Sequence, residues 1–424
     1  MRRVIYRIIC LALPVILAMS VAGCTAQSAP GQSVNLPGST NLMTDVSANS
    51  AAGKRVDDTF VDSAAGFSIE LFKNSVSGNN NSLISPLSVL LALAMTANGA
   101  GNETLSQMES VLGQGISIDD LNKYLHTYTG ALPNKQKSKL NIANSIWFRD
   151  NNLTVEKDFL QTNANYYNAA AYESAFDLQT IKNINNWVKE NTGGMIDQIL
   201  DNIPDDAVIY LINAVAFDAE WQTVYTRDRV NLRPFTSVDG SQTQVEMMTS
   251  SEASYLDDGE AVGFIKPYAN DGYSFAALLP NEGIDIFDYI KSLTGAGFIN
   301  TLKSAQETDV IATIPKFSYD YKISMVDALS SMGMADAFSP SSADFSKMGA
   351  SPSGNLYISE VLHKAFISVD ELGTKAGAVT SAGIKAGAAP YEEPKIVVLN
   401  RPFVYAIVDN STKLPVFIGA LLNC

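Results

Sequence analysis

Residues 371–391 read ELGTKAGAVTSAGIKAGAAPY and separate two stretches, 364–369 and 396–399, that are typical of β-strands. Ten of the seventeen residues from Gly373 to Ala389 are glycine or alanine. A connection of this length without secondary structure is uncommon inside a compact domain, and such connections are usually functional. The composition alone also fits a flexible surface linker. The order of the residues is therefore needed to distinguish a functional segment from a linker.

The order of residues in this stretch follows a period of two. One set of alternating positions is small or apolar throughout and consists of Thr374, Ala376, Ala378, Thr380, Ala382 and Ile384. The other set includes both lysines, Lys375 and Lys385. This alternation predicts a strand with one face for a core, and small side chains would let it enter an existing sheet without overpacking. We therefore predict a segment that is a loop in one state and a strand in another.

Helical and strand patterns are segregated along the rest of the chain. Apolar residues keep helical spacing over 60–72 and 87–95, and another helix is predicted over 183–190, before a Gly-Gly pair. Helices followed by strands, without a long linker or an internal repeat, predict one α+β domain over residues 56–424 with a large sheet. The runs of β-branched and aromatic residues that predict strands are 208–217, 273–279, 310–314, 364–369, 396–399, 403–408 and 416–421.

The first 23 residues have the pattern of an export signal. Arg2, Arg3 and Arg7 precede an uncharged apolar run over 8–22, which is too short for a comfortable membrane span. The run ends in Val-Ala-Gly before Cys24, which resembles the lipobox of bacterial lipoproteins. We therefore predict a signal peptide over 1–23, a lipid on Cys24 that tethers the secreted chain to a membrane outside the cytoplasm, and a flexible spacer over 24–55. An ordinary secretory signal followed by an incidental cysteine is the alternative.

Composition and charge disfavour several classes of function. A net charge of −15 at pH 7 argues against a nucleic-acid partner, because phosphates attract lysine and arginine. The three cysteines, Cys10, Cys24 and Cys424, give neither a disulfide framework nor a metal-spaced cluster. The two histidines stand in no catalytic motif; we expect His126 at the surface and His363 in a core hydrogen bond. We therefore predict a protein that is not an enzyme and that uses no metal and no cofactor.

Several short motifs, in the expected order along the chain, resemble those of the serpin family. Residues 369–378, VDELGTKAGA, resemble the serpin hinge. The resemblance covers nearly all of the chain after residue 60 and implies the serpin fold, an α+β fold of large mixed β-sheets with eight or nine helices and an exposed reactive-centre loop. The other matching motifs are NSLISPLS at 81–88, NAVAF at 213–217 followed by Trp221, LHKA at 362–365, NRPF at 400–403 and PVFIG at 415–419.

The resemblance also implies a function. Serpins present the reactive-centre loop as bait; a protease cuts it, forms an acyl-enzyme, and is trapped when the freed loop enters the main sheet as a new strand. The implied partner is a serine protease, with cysteine proteases as an alternative, and the chain itself is expected to be a monomer. The residues that the resemblance assigns are the hinge (Glu371, Gly373, Thr374, Ala376 and Ala378), the shutter (Ser85, Ser88, Asn213 and His363) and the breach (Trp221 and Lys316), with an ion pair expected between Lys316 and Glu371.

The position of the cut is left open by the sequence. Counting from Gly373 as in inhibitory serpins places the reactive bond between Gly387 and Ala388, whereas counting back from the NRPF motif points to Tyr391. We favour the first count because insertion depth is set from the hinge. A bait rich in glycine and alanine suits an elastase-like or subtilisin-like protease, while Lys385 would suit a trypsin-like one and Tyr391 a chymotrypsin-like one.

A binding protein is the main alternative to an inhibitor. The chain would then be a non-inhibitory surface lipoprotein that shares the serpin fold. Such members often carry charged or bulky hinge residues, whereas Gly373, Thr374, Ala376 and Ala378 are small. A hydrolase is disfavoured further, because the sequence lacks a catalytic set.

Overall fold

Most helices lie in the first half of the described chain and most strands in the second, as the residue pattern predicts. The computed structural model of the protein describes residues 36–374 and 393–424. Short 3-10 turns occupy Arg227–Arg229, Ala269–Asp271 and Ala335–Phe338. The α-helices of the described residues are α1 (Asp58–Ser75), α2 (Pro86–Ala97), α3 (Asn102–Gly113), α4 (Ile118–Ala131), α5 (Lys157–Tyr167), α6 (Leu178–Asn191), α7 (Ile286–Ser292), α8 (Gly295–Lys303) and α9 (Val326–Met332).

The strands dominate the second half of the chain. They are β1 (Ser39–Asn41), β2 (Ser82–Ile84), β3 (Ser138–Arg149), β4 (Thr154–Val155), β5 (Ala170–Ser174), β6 (Ile209–Glu220), β7 (Val230–Thr236), β8 (Gln242–Asp257), β9 (Ala261–Pro267), β10 (Tyr273–Pro280), β11 (Gln306–Pro315), β12 (Phe317–Ser324), β13 (Gly349–Ala350), β14 (Ile358–Val369), β15 (Gly373–Thr374), β16 (Lys395–Val398), β17 (Phe403–Asp409) and β18 (Pro415–Leu421).

Two large mixed sheets organise these strands. The main sheet has the order β1-β5-β3-β6-β15-β14-β12, and the second sheet has the order β16-β11-β8-β9-β10-β17-β18-β2, with β7 added on β8. In the main sheet β6 and β14 pair directly in parallel over most of their length, and the two-residue strand β15 separates them at one end only. The predicted α+β class with large mixed sheets is confirmed.

Helix α2 forms the centre of the core. Pro86 stands at its first position, where the fixed φ of proline suits a helix start. Every residue of α2 is buried, as expected for a helix that is apolar on all sides. The helix packs against β3 and β6 of the main sheet and β18 of the second sheet. This position brings Ser85 and Ser88, at its start, beneath the middle of the main sheet.

Residues 36–55, the described part of the predicted spacer, make specific contacts with the domain. Strand β1 pairs antiparallel with β5 at the edge of the main sheet, and Leu36 is buried in one apolar cluster with Trp187. The side chain of Asn183, on α6, donates to the carbonyl of Pro37 at 2.7 Å. Backbone pairing, the buried side chain of Leu36 and a hydrogen bond from α6 hold this segment, although most of its residues are of the kinds found in linkers.

Some predictions fall on residues that are not described. The signal peptide over 1–23, Cys24 and the loop residues 375–392 are in this group. Within residues 36–374 and 393–424, no helix is long and apolar enough to span a bilayer.

Candidate functional site

The hinge starts inside the main sheet. Strand β15 pairs antiparallel with both neighbours, so that Thr374 lies opposite Val369 of β14 and opposite Ala219 of β6. Thr374 is only 2% exposed, and its hydroxyl oxygen lies 2.5 Å from that of Tyr268. The segment predicted to exchange between loop and strand is therefore already a strand at its first two residues.

A tight turn over residues 370–373 leads from β14 into β15. Asp370 closes it, because its Oδ1 accepts from the N–H groups of Leu372 at 2.8 Å and of Gly373 at 3.2 Å. A Cβ atom on Gly373 would lie 2.0 Å from the carbonyl oxygen of Ala219, closer than real Cβ atoms come. Glycine is thus required for β15 to approach β6 this closely.

The breach residue Trp221 and its neighbours hold the outer side of this turn. The Trp221 backbone N–H donates to the carbonyl of Leu372 at 2.8 Å, and its Nε1 donates to the carbonyl of Asp370 at 2.8 Å. Tyr225 adds a third bond, from its backbone N–H to the carbonyl of Glu371 at 2.9 Å. The indole also stacks on the ring of Tyr268, with centroids 4.5 Å apart. The turn that feeds the hinge is therefore tied to one short segment, residues 221–225.

Lys316 and Glu371 form the ion pair that the resemblance implies. Lys316 Nζ lies 2.9 Å from Glu371 Oε1 and 2.9 Å from Glu246 Oε2. Partial burial opposes the charge on Lys316, but the hydrogen bonds to both carboxylates outweigh it and raise its pKa. Partial burial likewise opposes the charge on Glu371, and the hydrogen bond from Lys316 outweighs it and lowers the pKa of that carboxyl. Both groups are therefore charged at neutral pH.

The four shutter residues come together between α2 and the middle of the main sheet. Asn213 and His363 lie directly opposite each other in the parallel pair of β6 and β14, with Asn213 Oδ1 2.5 Å from His363 Nδ1. His363 Nε2 accepts from the backbone N–H of Ser85 at 3.2 Å, so Nδ1 carries the ring proton. The Asn213 amide also donates to the hydroxyl of Ser88.

Complete burial decides the protonation state of the shutter histidine. Desolvation lowers the pKa of His363 to about 3, so that the ring is neutral at physiological pH. Ser85 contributes its backbone to this ring and not its hydroxyl, which is buried without a hydrogen-bond partner among the described residues. The shutter is thus a neutral hydrogen-bonded cluster, and a hydrogen bond between two side chains joins β6 to β14.

Two residues of the site were not predicted from the sequence. Asn144 of β3 lies opposite Asn213 and accepts a hydrogen bond from its amide at 2.5 Å, and it donates to the carbonyl of Ser88 at 3.3 Å. The sequence signal for Asn144 is a polar amide among the apolar residues of β3, which indicates a buried hydrogen bond. Tyr268 gave no signal, because a buried tyrosine next to a strand resembles ordinary core until its contact with Thr374 is known.

One line of parallel pairing closes the main sheet below β15. Below β15 the residues 358–365 of β14 pair with residues 209–215 of β6. Any continuation of β15 as a central strand has to pass between these two strands and to separate Asn213 from His363. The geometry is therefore that of a closed sheet with a strand already started at one end.

The shutter histidine and the acidic side chains form neither a catalytic pair nor a metal site within the described ranges. His363 uses both ring nitrogens in hydrogen bonds, and no group of three or more His, Cys, Asp or Glu side chains in the described ranges could hold a metal ion. The remaining assigned residues lie outside the described ranges, namely Cys24, Ala376, Ala378, Lys385, Gly387, Ala388 and Tyr391.

Comparison with known proteins agrees with this geometry. The family model described as serpin (serine protease inhibitor) matches residues 62–424. The leukocyte elastase inhibitor of Xenopus tropicalis is 31% identical over 376 residues, which is 83% of this chain and 96% of that protein. The crystal structure of a thermophilic serpin, tengpin, in the native state is 58% identical, covers 91% of this chain and 100% of its own, and has a TM-score of 0.88. Tengpin in the latent state, at 56% identity with coverage of 88% and 99%, has a TM-score of 0.78.

Proposed function

Because the chain belongs to the serpin family, we propose that it inhibits serine proteases by trapping them on its own cut loop. Most members of this family are protease inhibitors and not enzymes. The observation that carries the proposal is β15, since the first two residues of the proposed bait segment already pair with both β6 and β14. A strand that has started in this position needs only to lengthen in order to insert.

The register of β15 supports insertion of the whole alternating segment. Thr374 lies opposite Ala219 of β6 and Val369 of β14. Because both pairings are antiparallel, each later residue of an extended β15 would lie opposite the preceding residue of β6 and of β14. Thr380 would then lie between Asn213 and His363, with its side chain on the same inward face as Thr374. The Thr380 hydroxyl would then offer Asn213 and His363 a new hydrogen-bond partner in place of the bond that they make with each other in the closed sheet.

The protease supplies the nucleophile for the covalent step of trapping. Its serine hydroxyl would attack the carbonyl carbon of Gly387, the Gly387–Ala388 amide would break, and the amine of Ala388 would leave with a proton. The ester that remains is hydrolysed by water at rates typical of turnover, on the order of 10 per second. Insertion has to be faster, and it would carry the acylated protease about 40 Å along the sheet. Serine and cysteine proteases both form such acyl intermediates, and the glycine- and alanine-rich bait favours elastase-like or subtilisin-like serine proteases.

The place of action is part of the proposal. The apolar run over 8–22 and the cysteine that follows it support export and a lipid anchor on Cys24. The inhibitor would then act outside the cytoplasm, at a membrane surface, where it meets extracellular proteases.

Incubation of the purified protein with a protease panel tests the proposal. With elastase or subtilisin we expect an adduct that survives SDS, because the ester persists once insertion distorts the protease. Mass spectrometry of the released carboxy-terminal fragment should show a start at Ala388. A protease whose catalytic serine is replaced by alanine is the control and should give no adduct. If every active protease cuts the loop, stays fully active and forms no adduct, trapping is wrong and a binding role takes its place.

A further inference from the structure

A buried ion pair lies behind the breach and has no part in the mechanism above. Lys266 of β9 and Glu252 of β8 have side chains that are 1% and 7% exposed, and Lys266 Nζ lies 2.8 Å from Glu252 Oε1. Removing two charges from water is costly, and apolar residues of similar volume often give equal or greater stability. Burial lowers the pKa of Lys266, while the Glu252 carboxylate favours the charged form. Stability of the fold therefore does not by itself account for the pair.

The lysine contacts the segment that holds the hinge turn. Lys266 Nζ donates to the carbonyl of Thr223 at 3.3 Å. It also lies 4.5 Å from the ring centroid of Tyr225 and 5.3 Å from that of Trp221. Cation–π contacts are stronger when the cation is desolvated, as it is at this site. One ammonium group thus fixes residues 221–225 at their beginning, middle and end.

The glutamate fixes the same segment through a serine. Ser250 Oγ donates to Glu252 Oε1 at 2.5 Å and lies 3.2 Å from the hydroxyl oxygen of Tyr225. Glu252 therefore orients both the ammonium group of Lys266 and the side chain of Tyr225. Removal of either charge would leave the other buried without its partner.

The opposite side of residues 221–225 carries the hinge turn. Two backbone N–H groups and the indole N–H of this segment donate to the carbonyls of residues 370–372. That turn lies directly before Thr374, so it is the fixed point about which the later residues have to swing. A continuous set of contacts therefore joins the buried ion pair to the pivot of the loop.

We propose that Lys266 and Glu252 are positioning residues that keep the pivot rigid while the loop enters the main sheet. The inference rests on the proposed trapping function. A rigid pivot delivers the residues after Thr374 in register between β6 and β14. A loose pivot permits misaligned starts, so insertion slows and water hydrolyses the acyl-enzyme first.

Two measurements on the intact protein and its variants test the inference. The first is hydrogen–deuterium exchange of the peptides that contain residues 221–225 and 370–374, without protease. In Lys266→Met and Glu252→Gln we expect exchange about tenfold faster there, as for loss of a hydrogen bond to a charged group. The second is the number of inhibitor molecules consumed per trapped protease, which should rise several-fold while the rate of loop cutting is unchanged.

Further variants separate positioning from stability. Leu112→Ala, at a buried position of α3, which packs against α1, α2 and α4, is a control that lowers the melting temperature without changing either readout. The double variant Lys266→Met/Glu252→Leu should recover most of the melting temperature lost by the single variants, because no unpaired charge remains, yet keep the fast exchange. Lys266→Arg should exchange more slowly than Lys266→Met at these peptides, because arginine retains the positive charge.

Distinct outcomes overturn the inference. Unchanged exchange in both single variants shows that the pair does not hold the segment. Restoration of slow exchange and efficient trapping in the double variant shows that packing alone is sufficient. Faster exchange with unchanged inhibitor consumption shows that the pivot does not govern insertion. If the wild-type protein traps no protease, the proposed function fails, and the exchange measurement still decides whether the pair fixes the hinge turn.

Discussion

At the scale of single residues, His363 keeps the main sheet closed only while its ring is neutral. Nε2 accepts a hydrogen bond from the backbone N–H of Ser85. A second ring proton would be carried by Nε2, so that this nitrogen and the Ser85 N–H would both be donors and could not bond. Nδ1 is already committed to Asn213 Oδ1, and the ring is completely buried. Protonation would therefore break the hydrogen bond that joins α2 to β14 and place a charge in the core.

This arrangement predicts a specific loss of stability in acid. The histidine pKa is 6.5 in the unfolded chain and about 3 in the folded one, so between these values the unfolded state binds one more proton. Stability therefore rises with pH in this window, and this group removes about 1.4 kcal/mol from the free energy of unfolding for each unit that the pH falls. Urea midpoints of wild type and His363→Gln, measured from pH 7 to pH 4, should converge as the pH falls.

The second histidine of the chain provides the matched control. His126 is half-buried beside Tyr166, where the two rings meet edge to face. The His126→Gln variant therefore controls for the replacement of a histidine outside the shutter. A constant difference between wild type and His363→Gln would show that His363 does not titrate as described.

At the scale of secondary structure elements, β15 decides which side of the loop faces the core. Its register places Thr374 on the inward face, and an extended continuation of the strand would place every second residue after it on the same face. Thr380 would meet the shutter, and Ser381 would point to solvent on the other face. Adjacent positions in one loop thus have opposite tolerance for a large charged side chain.

A pair of arginine variants tests this difference. Thr380→Arg should stop insertion at the shutter, so that the protease cuts the loop and escapes and adducts fall at least tenfold. Ser381→Arg should form adducts at near the wild-type level, because its side chain remains in solvent. Both variants should be cut at the wild-type rate. Equal loss of adducts in the two variants would contradict the register. Thr374→Arg is a poorer test, because Thr374 is already buried in the intact sheet.

The sequence predicted the elements of the site better than their contacts. The alternation after Glu371 predicts an inward face, and Thr374, the member of that face within the described residues, is buried. Partners were not predictable where they depend on strand order: Asn144 meets Asn213 only because β3 neighbours β6. The pair of Lys266 and Glu252 was missed for the same reason, since charged residues in strands usually indicate exposed positions.

The ordered segment before α1 shows a different limit. Residues 36–55 are rich in Ser, Ala, Gly and Asn, a composition that favours flexible linkers. Their order comes from backbone pairing of β1 with β5 and from hydrogen bonds to α6. The backbone groups that make these interactions are common to all residues, so the composition of the segment carries little signal for them.

At the scale of the whole molecule, the closed main sheet is a state that a longer central strand would improve. The pairing of β6 with β14 is one parallel ladder, and insertion would replace it with two antiparallel ladders, which pair slightly better per residue. The intact chain would then persist because opening the sheet is slow, so that its stability is kinetic. The similarity to tengpin, with a higher TM-score to the native than to the latent state, fits a sheet that has not yet opened.

The melting temperature of the protein before and after one cut between residues 375 and 392 tests this account most directly. We predict that the cut chain melts higher by roughly 10 °C or more, because the freed segment completes the main sheet. The same cut in Thr380→Arg should give a much smaller gain. A cut wild-type chain that melts at the temperature of the intact one, or below it, would contradict the central claim that the loop becomes a strand.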